Sequence, residues 1–392
     1  MNETNRRAFI RAAAAATVCG RAATAGPKRY RVAVIGRTGK GDYGHGLHTT
    51  WLQTDRAEVV AVADEDAAGR ANAAKALRAG AAYADYREML DKARPEIVTV
   101  APRWPDCHRD MVVACAERGI HVFVEKPLCR TLREADEIVA ACDRHRVKCA
   151  VAHTTRYGPR VRVIRDLIAA GRIGDVLELR AHGKEDARGG GEDMLVLGTH
   201  LFDLMRLFVG DARWCFGRVN QGGRRAGPAD ARPGGEQMGP VAGDHIVAQY
   251  GFDGLPVGSF YTHNAKAGAG KRFWLAVGGS KGQIHLATGG LPAAFLCDDP
   301  SWMPGASRAP WQEVTSNGLG KPETLDPAAV GNGNLPVVLD LMDAIERDRP
   351  PLCGAADGRA ALEMVMAVYE SNRQNRPVEL PLATRDHPLA AV

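Results

Sequence analysis

Hydrophobic residues in the first half of the chain form short continuous runs, and each run is followed by an amphipathic stretch. The first run is Tyr30 to Ile35 in "RYRVAVIG", and "AEVVAVAD", "EIVTVAP", "HVFV" and "KCAVAH" follow it. Continuous apolar strands are typical of parallel sheets that are covered on both faces, and the helical stretches between them supply the crossovers. The first half is therefore predicted to be α/β, with a doubly wound parallel sheet.

The pattern changes at about Gly174, where short alternating strands such as "DVLELRAH" and "DHIVAQYGF" are separated by glycine and proline turns. This pattern predicts a large, mostly antiparallel open sheet. Residues 222–243 and 291–334 are predicted to be long loops that line or cover a site. The chain ends in two amphipathic helices. Two domains are therefore predicted from the change of pattern, a nucleotide-binding domain of residues 26–152 and a C-terminal α/β domain of residues 153–392.

A glycine-rich loop, "GRTGKGDYGHGLHTTW", follows the first strand, and a helix is predicted after it. Glycines let the backbone approach phosphates, and a helix N-terminus attracts them, so this is the predicted pyrophosphate site of a Rossmann domain. The G-x-G-x-x-G pattern is broken at Thr38, which indicates a longer loop. The candidate cofactor contacts in the loop are Gly36, Arg37, Thr38, Gly39 and Gly41.

Asp64 ends the second predicted strand, where a carboxylate can accept hydrogen bonds from the adenosine ribose hydroxyls. A carboxylate at this position repels a 2′-phosphate, so NAD is favoured over NADP. The alternative is that Asp64 only caps the helix that follows it.

Two further segments carry candidate chemistry. "HVFVEKPL" is a strand that ends in Glu125, Lys126 and Pro127, and at the carboxyl end of a parallel strand Lys126 points to where ligands bind. "GTHLFDLMRLFV" has apolar residues at helical spacing, with His200 at its start and Asp203 one turn later. His200 can accept a proton from a substrate hydroxyl near neutral pH, or it can merely hydrogen-bond near the helix start.

Composition narrows the function further. The chain has 392 residues, 45% of them hydrophobic, which is enough for two domains. The net charge of +5 is not gathered into a basic stripe, so nucleic-acid binding is not expected. No apolar run approaches the roughly 18 residues of a membrane span. The nine cysteines lack C-x-x-C spacing, so no metal site is expected and most cysteines are predicted to be buried.

Residues 1–25 resemble a twin-arginine export signal. Arg6 and Arg7 precede a weakly apolar run, and Ala23 to Ala25 resemble a small-residue cleavage site. The signal predicts a periplasmic or otherwise exported protein, with the twin-arginine machinery as a partner and no stable membrane anchor. The alternative is an alanine-rich helical extension.

Taken in order, these segments resemble the glucose-fructose oxidoreductase / inositol dehydrogenase / MocA (Gfo/Idh/MocA) family. The resemblance rests on the glycine-rich loop, "AVAD", "APRWPDCHRDM", "GIHVFVEKPL", "RYGPRVRVIRDLIAAGRIGDV", "GTHLFDLMR" and "DLMDAIERDRPPLCGAADGRAALEMVMAVYES". It covers nearly all of the chain after the signal. It implies a Rossmann domain followed by an α/β domain with an open sheet, an NAD cofactor, a carbohydrate or polyol substrate and a homo-oligomer.

The resemblance also implies roles for residues. Lys126 is expected to reach the nicotinamide and the reacting hydroxyl, and His200 is expected to be the general base. Further cofactor contacts are expected at Pro102 and Glu125. The candidate substrate contacts are Trp104, Arg156, Asp193 and Asp203.

The sequence departs from the family pattern at two places. The family's aspartate four residues before the histidine is Val196 here, so Glu192 and Asp193 replace it, or His200 works without a partner, or the dehydrogenase chemistry is lost. The segment "PRWPDCH" is about two residues longer than usual. This places Trp104 at the mouth of the site, where it either stacks on a ligand ring or braces the loop.

The expected function is that of an exported NAD-dependent oxidoreductase acting on a sugar, glycoside or polyol hydroxyl, with a tightly held cofactor. A first alternative is a glycosidase that oxidises its substrate transiently, eliminates the substituent and reduces the ring again. A second alternative, motivated by Val196, is a nucleotide- or sugar-binding protein without catalysis.

Overall fold

The computed structural model describes residues 28–264 and 272–390. The predicted export signal lies outside this range. Two sheets organise the described chain, a six-stranded sheet in the first half and an 11-stranded sheet in the second. Both halves of the predicted fold class are confirmed.

The first sheet is parallel throughout and has the strand order β3-β2-β1-β4-β5-β6. In this order the crevice at the carboxyl ends of β1 and β4 is where Rossmann domains bind ligands. The strands are β1 Tyr30–Ile35, β2 Ala57–Ala63, β3 Ala81–Tyr83, β4 Ile97–Val100, β5 His121–Val124 and β6 Cys149–Val151, and the helices are α1 Ala67–Leu77, α2 Tyr86–Ala93, α3 His108–Ala116 and α4 Leu132–His145.

Side-chain caps explain where three of these helices begin. The side chains of Asp66, Asp85 and Thr131 each accept a hydrogen bond from the backbone amide three residues later, which satisfies an otherwise unpaired amide. The prediction of a helix directly after the glycine-rich loop is wrong. Only a 3₁₀ turn, Thr49–Gln53, forms there, so no α-helix N-terminus faces the predicted pyrophosphate site.

The second sheet is mixed, because β7 and β13 pair in parallel while all the other strand pairs of this sheet are antiparallel. Its order is β18-β17-β16-β15-β14-β7-β13-β12-β8-β19, with β9 beside β8. The strands, which include the separate pair β10 and β11, are β7 Val176–His182, β8 Trp214–Gln221, β9 Arg224–Arg225, β10 Arg232–Pro233, β11 Pro240–Val241, β12 His245–Gly251, β13 Val257–His263, β14 Trp274–Gly279, β15 Gln283–Ala287, β16 Ala294–Cys297, β17 Gln312–Thr315, β18 Gly318–Leu319 and β19 Val378–Glu379.

Helices cover one face of the large sheet and return to the first domain. They are α5 Pro159–Ala169, α6 Gly191–Val196, α7 Gly198–Val209, α8 Pro327–Val330, α9 Asn334–Glu346 and α10 Ala355–Gln374. Helix α10 packs on β8, where a Cβ at Gly217 would lie 2.7 Å from the Val368 carbonyl oxygen. Apolar residues of α9 join the core beside β1, so the C-terminal helices hold the two sheets together around a shared cleft.

The other face of the large sheet is open. Phe216, Val247, Val257 and Phe295 are exposed on it, although each is a large apolar side chain. Among the residues that the structure covers, no helix combines the length and the hydrophobicity needed to cross a bilayer. The eight cysteines in this part of the chain are free thiols and seven of them are buried, in agreement with the prediction that they act as small apolar residues.

Candidate active site

A cleft lies at the carboxyl edge of the parallel sheet, where the two halves of the protein meet. Its volume is about 210 Å³, which is smaller than the roughly 300–1,000 Å³ of pockets that enclose a whole drug-sized ligand. It can therefore hold a sugar-sized molecule or the reacting end of a dinucleotide. The cleft is lined by His45, Leu47, Glu125, Lys126, Ala152, Thr154, Thr155, Leu197, His200, Phe273, Thr288, Gly289, Gly290, Gly331, Asn332 and Asn334.

Lys126 stands in the cleft directly after β5, as the sequence predicts, and is only 4% exposed. Its Nζ donates a hydrogen bond to the Val196 carbonyl oxygen at 3.2 Å. Burial lowers the pKa of this lysine, while the neighbouring carboxylate of Glu125 acts in the opposite direction. The result is an ammonium group with one anchor and two N–H donors that can point at a ligand.

The turn that carries Lys126 is fixed from behind by His108. The Lys126–Pro127 peptide bond is cis. The buried His108 ring lies with Nε2 2.7 Å from the Pro102 carbonyl oxygen and Nδ1 3.1 Å from the Pro127 carbonyl oxygen. The predicted cofactor contact Pro102 is thus tied to the lysine turn through one imidazole.

Glu125 is held by His45, a residue of the glycine-rich loop to which the sequence analysis assigned no role. Glu125 is 1% exposed, and its Oε2 lies 3.1 Å from the His45 amide nitrogen and 3.0 Å from His45 Nδ1. Burial alone would raise the pKa of Glu125, but the hydrogen bonds from His45 and the charge of Lys126 outweigh burial and lower it. Glu125 is therefore an ionised carboxylate that is fully engaged by its own chain.

His45 is also fixed by the second predicted long loop. The side-chain amides of Asn332 and Asn334 both donate to the His45 carbonyl oxygen, at 2.9 and 3.0 Å. In the sequence, His45 is marked only by the two glycines beside it, Gly44 and Gly46, which both have positive φ in the structure. His45 belongs to no periodic pattern, so its role is identified from its contacts in the structure.

His200 reaches the cleft from the start of α7, but it lacks an orienting partner. Among the residues that the structure describes, its buried Nδ1 has no hydrogen-bond partner. Burial, followed by the charge of Lys126, lowers the pKa of His200 well below its ordinary value. Val196, which replaces the family's aspartate, is 2% exposed and contributes only its carbonyl oxygen, to Lys126.

Asp193 does not replace the missing carboxylate. It is fully buried, accepts a hydrogen bond from the Thr262 hydroxyl at 2.5 Å and another from the Glu185 amide at 3.1 Å. Burial raises the pKa of Asp193, and its oxygens are used to fasten the loop before α6 to β13. A direct role in substrate binding does not agree with this position.

Arg156 and Asp203 also lie behind the cleft instead of lining it. Arg156 Nε donates to Asp203 Oδ2 at 2.9 Å and another guanidinium nitrogen lies 2.8 Å from Asp203 Oδ1, in a pair where both side chains are buried. His153 Nδ1 lies 3.7 Å from the same carboxylate, and burial lowers the pKa of His153 to about 4. The predicted substrate contacts are thus an internal ion pair, and Asp203 approaches His153, not His200.

His153, Asp203 and Cys353 place their ligand-type atoms within 4.8 Å of one another. The Arg156 guanidinium already neutralises the carboxylate of this group, and the Cys353 thiol lies 3.6 Å from both His153 Nδ1 and Asp203 Oδ1. Burial raises the pKa of that thiol well above its ordinary value. The group is therefore a packed hydrogen-bonding cluster whose charges are balanced without a metal ion.

Trp104 supports the glycine-rich loop and does not line the cleft. A Cβ at Gly41 would lie 2.5 Å from the Trp104 amide nitrogen and 3.1 Å from its indole ring, and the Arg103 amide donates to the Gly41 carbonyl oxygen at 2.9 Å. Of the two interpretations, bracing the loop agrees with the structure. The Arg103 side chain meets Glu236 of the other predicted long loop at 3.1 Å, so both long loops reach this edge of the sheet.

The predicted cofactor residues Thr38 and Asp64 contact each other. The Thr38 amide and hydroxyl donate to Asp64 Oδ2 at 3.1 and 2.8 Å, and the Asp66 amide donates to Asp64 Oδ1 at 3.0 Å. Asp64 is 2% exposed, and the residue that caps α1 is Asp66. In this structure the Asp64 carboxylate is therefore largely covered by Thr38.

Other residues of the glycine-rich loop also contact the protein's own side chains. Gly36 is covered by the Tyr43 ring, because a Cβ there would lie 2.2 Å from the ring. Arg37 is paired with Asp106 at 3.0 Å. Gly39 has φ +76° and, among the described residues, no atom within 4 Å of a Cβ position. Its amide, however, donates to the Asp42 carboxylate at 2.8 Å. The loop is therefore closed on itself at both ends, with free space only on the Cβ side of Gly39.

Gly44 is expected to tolerate a side chain poorly. In Gly44→Ala the new Cβ would lie 2.5 Å from Glu125 Oε2 and 2.6 Å from the Ala101 carbonyl oxygen. Gly39→Ala is the matched control, because it has positive φ but open space. We expect a loss of about 1–2 kcal/mol for the control from φ alone, and about 1–3 kcal/mol more for Gly44→Ala from the collision. Urea unfolding measures both, and equal losses would contradict the contact with Glu125.

Comparison with known proteins decides the family. Residues 30–153 match the model of the oxidoreductase family with the NAD-binding Rossmann fold, and residues 165–380 match the C-terminal alpha/beta domain of the same family. The chain belongs to the Gfo/Idh/MocA oxidoreductases. The predicted family and NAD as the cofactor of its Rossmann domain are confirmed.

Individual relatives are more distant. D-apiose dehydrogenase from Paraburkholderia graminis is 30% identical over 203 residues, which are 48% of this chain and 52% of that protein. The chain thus spans about half the length of such relatives. Two solved structures share the fold. A levoglucosan dehydrogenase in complex with NADH and levoglucosan has a TM-score of 0.70 at 21% identity, over 91% of this chain and 100% of the other. An aldose-aldose oxidoreductase from Caulobacter crescentus complexed with glycerol has 0.69 at 17%, over 90% and 100%.

Proposed function

We propose that this protein transfers a hydride between a hydroxyl carbon of a sugar, glycoside or polyol and a resident nicotinamide cofactor. The observation that carries the proposal is Lys126. A buried ammonium at the carboxyl end of a Rossmann strand, anchored on one side only, is placed to hydrogen-bond a substrate oxygen as negative charge develops on it. The names of the relatives, which are sugar dehydrogenases, support the substrate class.

The residues of the cleft fit a nicotinamide cofactor at its reacting end. Glu125 and Lys126 stand at the sheet edge beside β4, and there is free space beside Gly39 in the glycine-rich loop. When bound, the nicotinamide supplies the hydride acceptor. The preference for NAD over NADP rests on Asp64, whose carboxylate directly after β2 repels a 2′-phosphate.

The walls of the cleft suit a polar ring. Asn332, Thr154 and Thr155 offer hydrogen-bonding groups near one side, and Phe273 offers an apolar surface near His200. Aromatic faces pack against the C–H groups of sugar rings while polar groups bind the hydroxyls. This combination supports a carbohydrate or polyol more than an apolar alcohol.

The second candidate function is net glycoside cleavage by oxidation, elimination and re-reduction. This reaction would use the same groups. The specific observation in its favour is that the cleft contains two histidines, His45 and His200, whereas a simple oxidation transfers one proton and needs one base. An elimination requires a second proton to be removed from carbon, so two bases suit it. Glycosyl hydrolase family 109 protein 1 from Akkermansia muciniphila, a relative at 30% identity over 115 residues, supports it by name.

The exposed apolar residues on the open face of the large sheet support association of two or more copies. The arginine pair Arg6 and Arg7 supports export by the twin-arginine route. An exported enzyme has no cytoplasmic nicotinamide pool to draw on. A cofactor that leaves the cell with the folded protein and is recycled between two sugars answers this need.

One experiment tests these points together. Cells producing the full chain are fractionated, the protein is purified from the exported fraction, and the nucleotide released on denaturation is identified with its redox state. We expect about one NAD or NADH per chain, followed by turnover without net NADH when oxidisable and reducible sugars are supplied as a pair. In the control, with Arg6 and Arg7 both changed to lysine, the exported fraction should be empty. Protein that contains no nucleotide and binds neither NAD nor NADP would overturn the proposal.

A further inference from the structure

The cleft contains a histidine–carboxylate pair that neither the sequence pattern nor the family's motif predicts. His45 Nδ1 lies 3.0 Å from Glu125 Oε2, and the same oxygen accepts the His45 amide at 3.1 Å. The Glu125 carboxylate is 1% exposed, whereas the His45 side chain is 46% exposed. A buried carboxylate thus holds one nitrogen of an imidazole whose other nitrogen remains available to the cleft.

Every other polar group of His45 is already bound. Its amide donates to Glu125, and its carbonyl oxygen accepts hydrogen bonds from the side-chain amides of Asn332 and Asn334 at 2.9 and 3.0 Å. Gly44 has no side chain, and this lets the backbone of the loop come close to Glu125, because a Cβ at Gly44 would lie 2.5 Å from Glu125 Oε2. The loop therefore presents His45 Nε2 to the cleft, because two segments distant in the sequence, the Glu125 turn and the loop that contains Asn332 and Asn334, bind its other polar atoms.

The tautomer follows from this arrangement. Hydrogen bonds from His45 and the charge of Lys126 lower the pKa of Glu125, so the carboxylate is ionised and accepts only. His45 Nδ1 must then carry the proton, which leaves Nε2 as an acceptor when the ring is neutral. A carboxylate that holds a histidine in one tautomer, and that stabilises the imidazolium formed later, is the arrangement that makes histidine an effective general base.

His200 lacks each of these features. Its Nδ1 is buried with no partner in the described part of the chain, and its neighbours on the ring side are His153 and Lys126. Both burial and the ammonium of Lys126 disfavour the imidazolium that a base must become. A group that resists protonation is a poor proton acceptor in the oxidation.

We propose that His45 is the proton-transferring residue of the cleft and that Glu125 is its positioning residue. The proposal rests on the proposed function. In the oxidation the substrate O–H bond breaks and its proton passes to His45 Nε2, while the electron pair of the C–H bond leaves as hydride for the oxidised nicotinamide. The substrate carbon gains a C=O bond, Lys126 hydrogen-bonds its oxygen, and the reverse transfers reduce a second sugar.

The first test observes the ring without turnover. Nuclear magnetic resonance of ¹⁵N-histidine-labelled full-length protein, with His45 assigned through His45→Gln, reports which ring nitrogen is protonated. We expect Nδ1–H in the wild type, and a mixture of tautomers in Glu125→Ala, where no carboxylate holds Nδ1. An Nε2–H tautomer in the wild type would overturn the proposal.

The second test uses the pH profile of kcat/KM with a sugar that the wild type turns over. The charged and titratable groups facing His45 are Glu125, Lys126 and His200. We expect His45→Gln to lower kcat/KM on the order of 10²–10⁴-fold and to remove the acidic limb of the profile. His200→Gln should keep that limb, and His145→Gln, at the end of α4, should change nothing.

Imidazole rescue separates a chemical role from a structural one. Imidazole added to His45→Ala should restore part of the lost rate, because a small base can occupy the exposed position of the missing ring. If His45→Gln keeps the acidic limb and His200→Gln loses it, His45 is not the base, although the oxidoreductase function stands. If the wild type itself holds no nucleotide and turns over no sugar, the proposed function fails together with this inference.

Discussion

Lys126→Met should lower kcat on the order of 10²–10³-fold, with the protein still folded. The methionine keeps most of the length of the side chain but removes the ammonium that donates to the Val196 carbonyl oxygen and faces the cleft. Loss of a donor that acts on developing negative charge falls on kcat more than on KM, because the interaction strengthens in the transition state. Steady-state kinetics with the preferred sugar measure both constants.

The alkaline side of the wild-type pH profile provides an independent check on the same residue. Burial lowers the pKa of Lys126, so the ammonium is fully present at low pH and is lost as the pH rises through that lowered value. Activity that needs the ammonium should therefore decline at a pH below the roughly 10.4 of an ordinary lysine. In Lys126→Met this alkaline limb should be absent from the residual activity.

Lys148→Met is the matched control, because Lys148 pairs with Asp348 at 2.7 Å and lies away from the cleft. It should leave kcat unchanged. If Lys126→Met keeps wild-type kcat while the control behaves as expected, Lys126 does no more than anchor the loop at Val196. A protein that binds NAD and sugars with no turnover in any variant would instead support the non-catalytic alternative.

The sequence was sufficient for the sheet of the first domain because its strands are apolar on both faces. The prediction of β1 as Tyr30 to Ile35 agrees with the structure, and the helical stretch predicted between "HVFV" and "KCAVAH" is α4. Both have strong periodicity, and Thr131 supplies a cap at the start of α4. The short strand β3 and helix α2 were missed, since three residues of strand carry little pattern.

The candidate site was only partly predictable, for a different reason. Lys126 was found because a charge at the end of an apolar strand has a position that local pattern determines. Asp193 and Asp203 were candidate substrate contacts because of their places near Val196 and His200 in the sequence, but the structure shows that their partners are Thr262 and Arg156. Partners that are distant in the chain leave no trace in local pattern.

The glycine-rich loop shows the same limit. Five residues of the loop, Gly36 to Gly39 and Gly41, were expected to contact the cofactor, but Gly36 accommodates Tyr43, just as the neighbouring Gly44 accommodates Glu125. A glycine count shows that something approaches the backbone closely, yet it does not show whether a ligand or the chain itself does so. The helix predicted after the loop does not form because β2 begins at Ala57, which leaves room only for the 3₁₀ turn Thr49–Gln53.

Asp203→Asn should destabilise the protein by about 3–5 kcal/mol, which is the second large effect we expect. The change leaves the buried Arg156 guanidinium with the more distant Asp357, at 3.2 Å, as its remaining carboxylate partner. An uncompensated charge in a buried site costs more than the pair contributes, because the arginine has already lost its water. Urea unfolding, followed by tryptophan fluorescence, measures the loss.

Asp253→Asn is the control, since Asp253 pairs with Arg213 on the surface and its loss should hardly move the unfolding midpoint. In the double variant Arg156→Leu, Asp203→Leu, with the charges removed together, much of the stability should return, because no buried charge then lacks a partner. The original prediction that Asp203 binds substrate leads to the opposite pattern, an unchanged midpoint with a raised KM. The two patterns do not overlap, so one pair of measurements assigns Asp203 either to the framework behind the cleft or to the cleft itself.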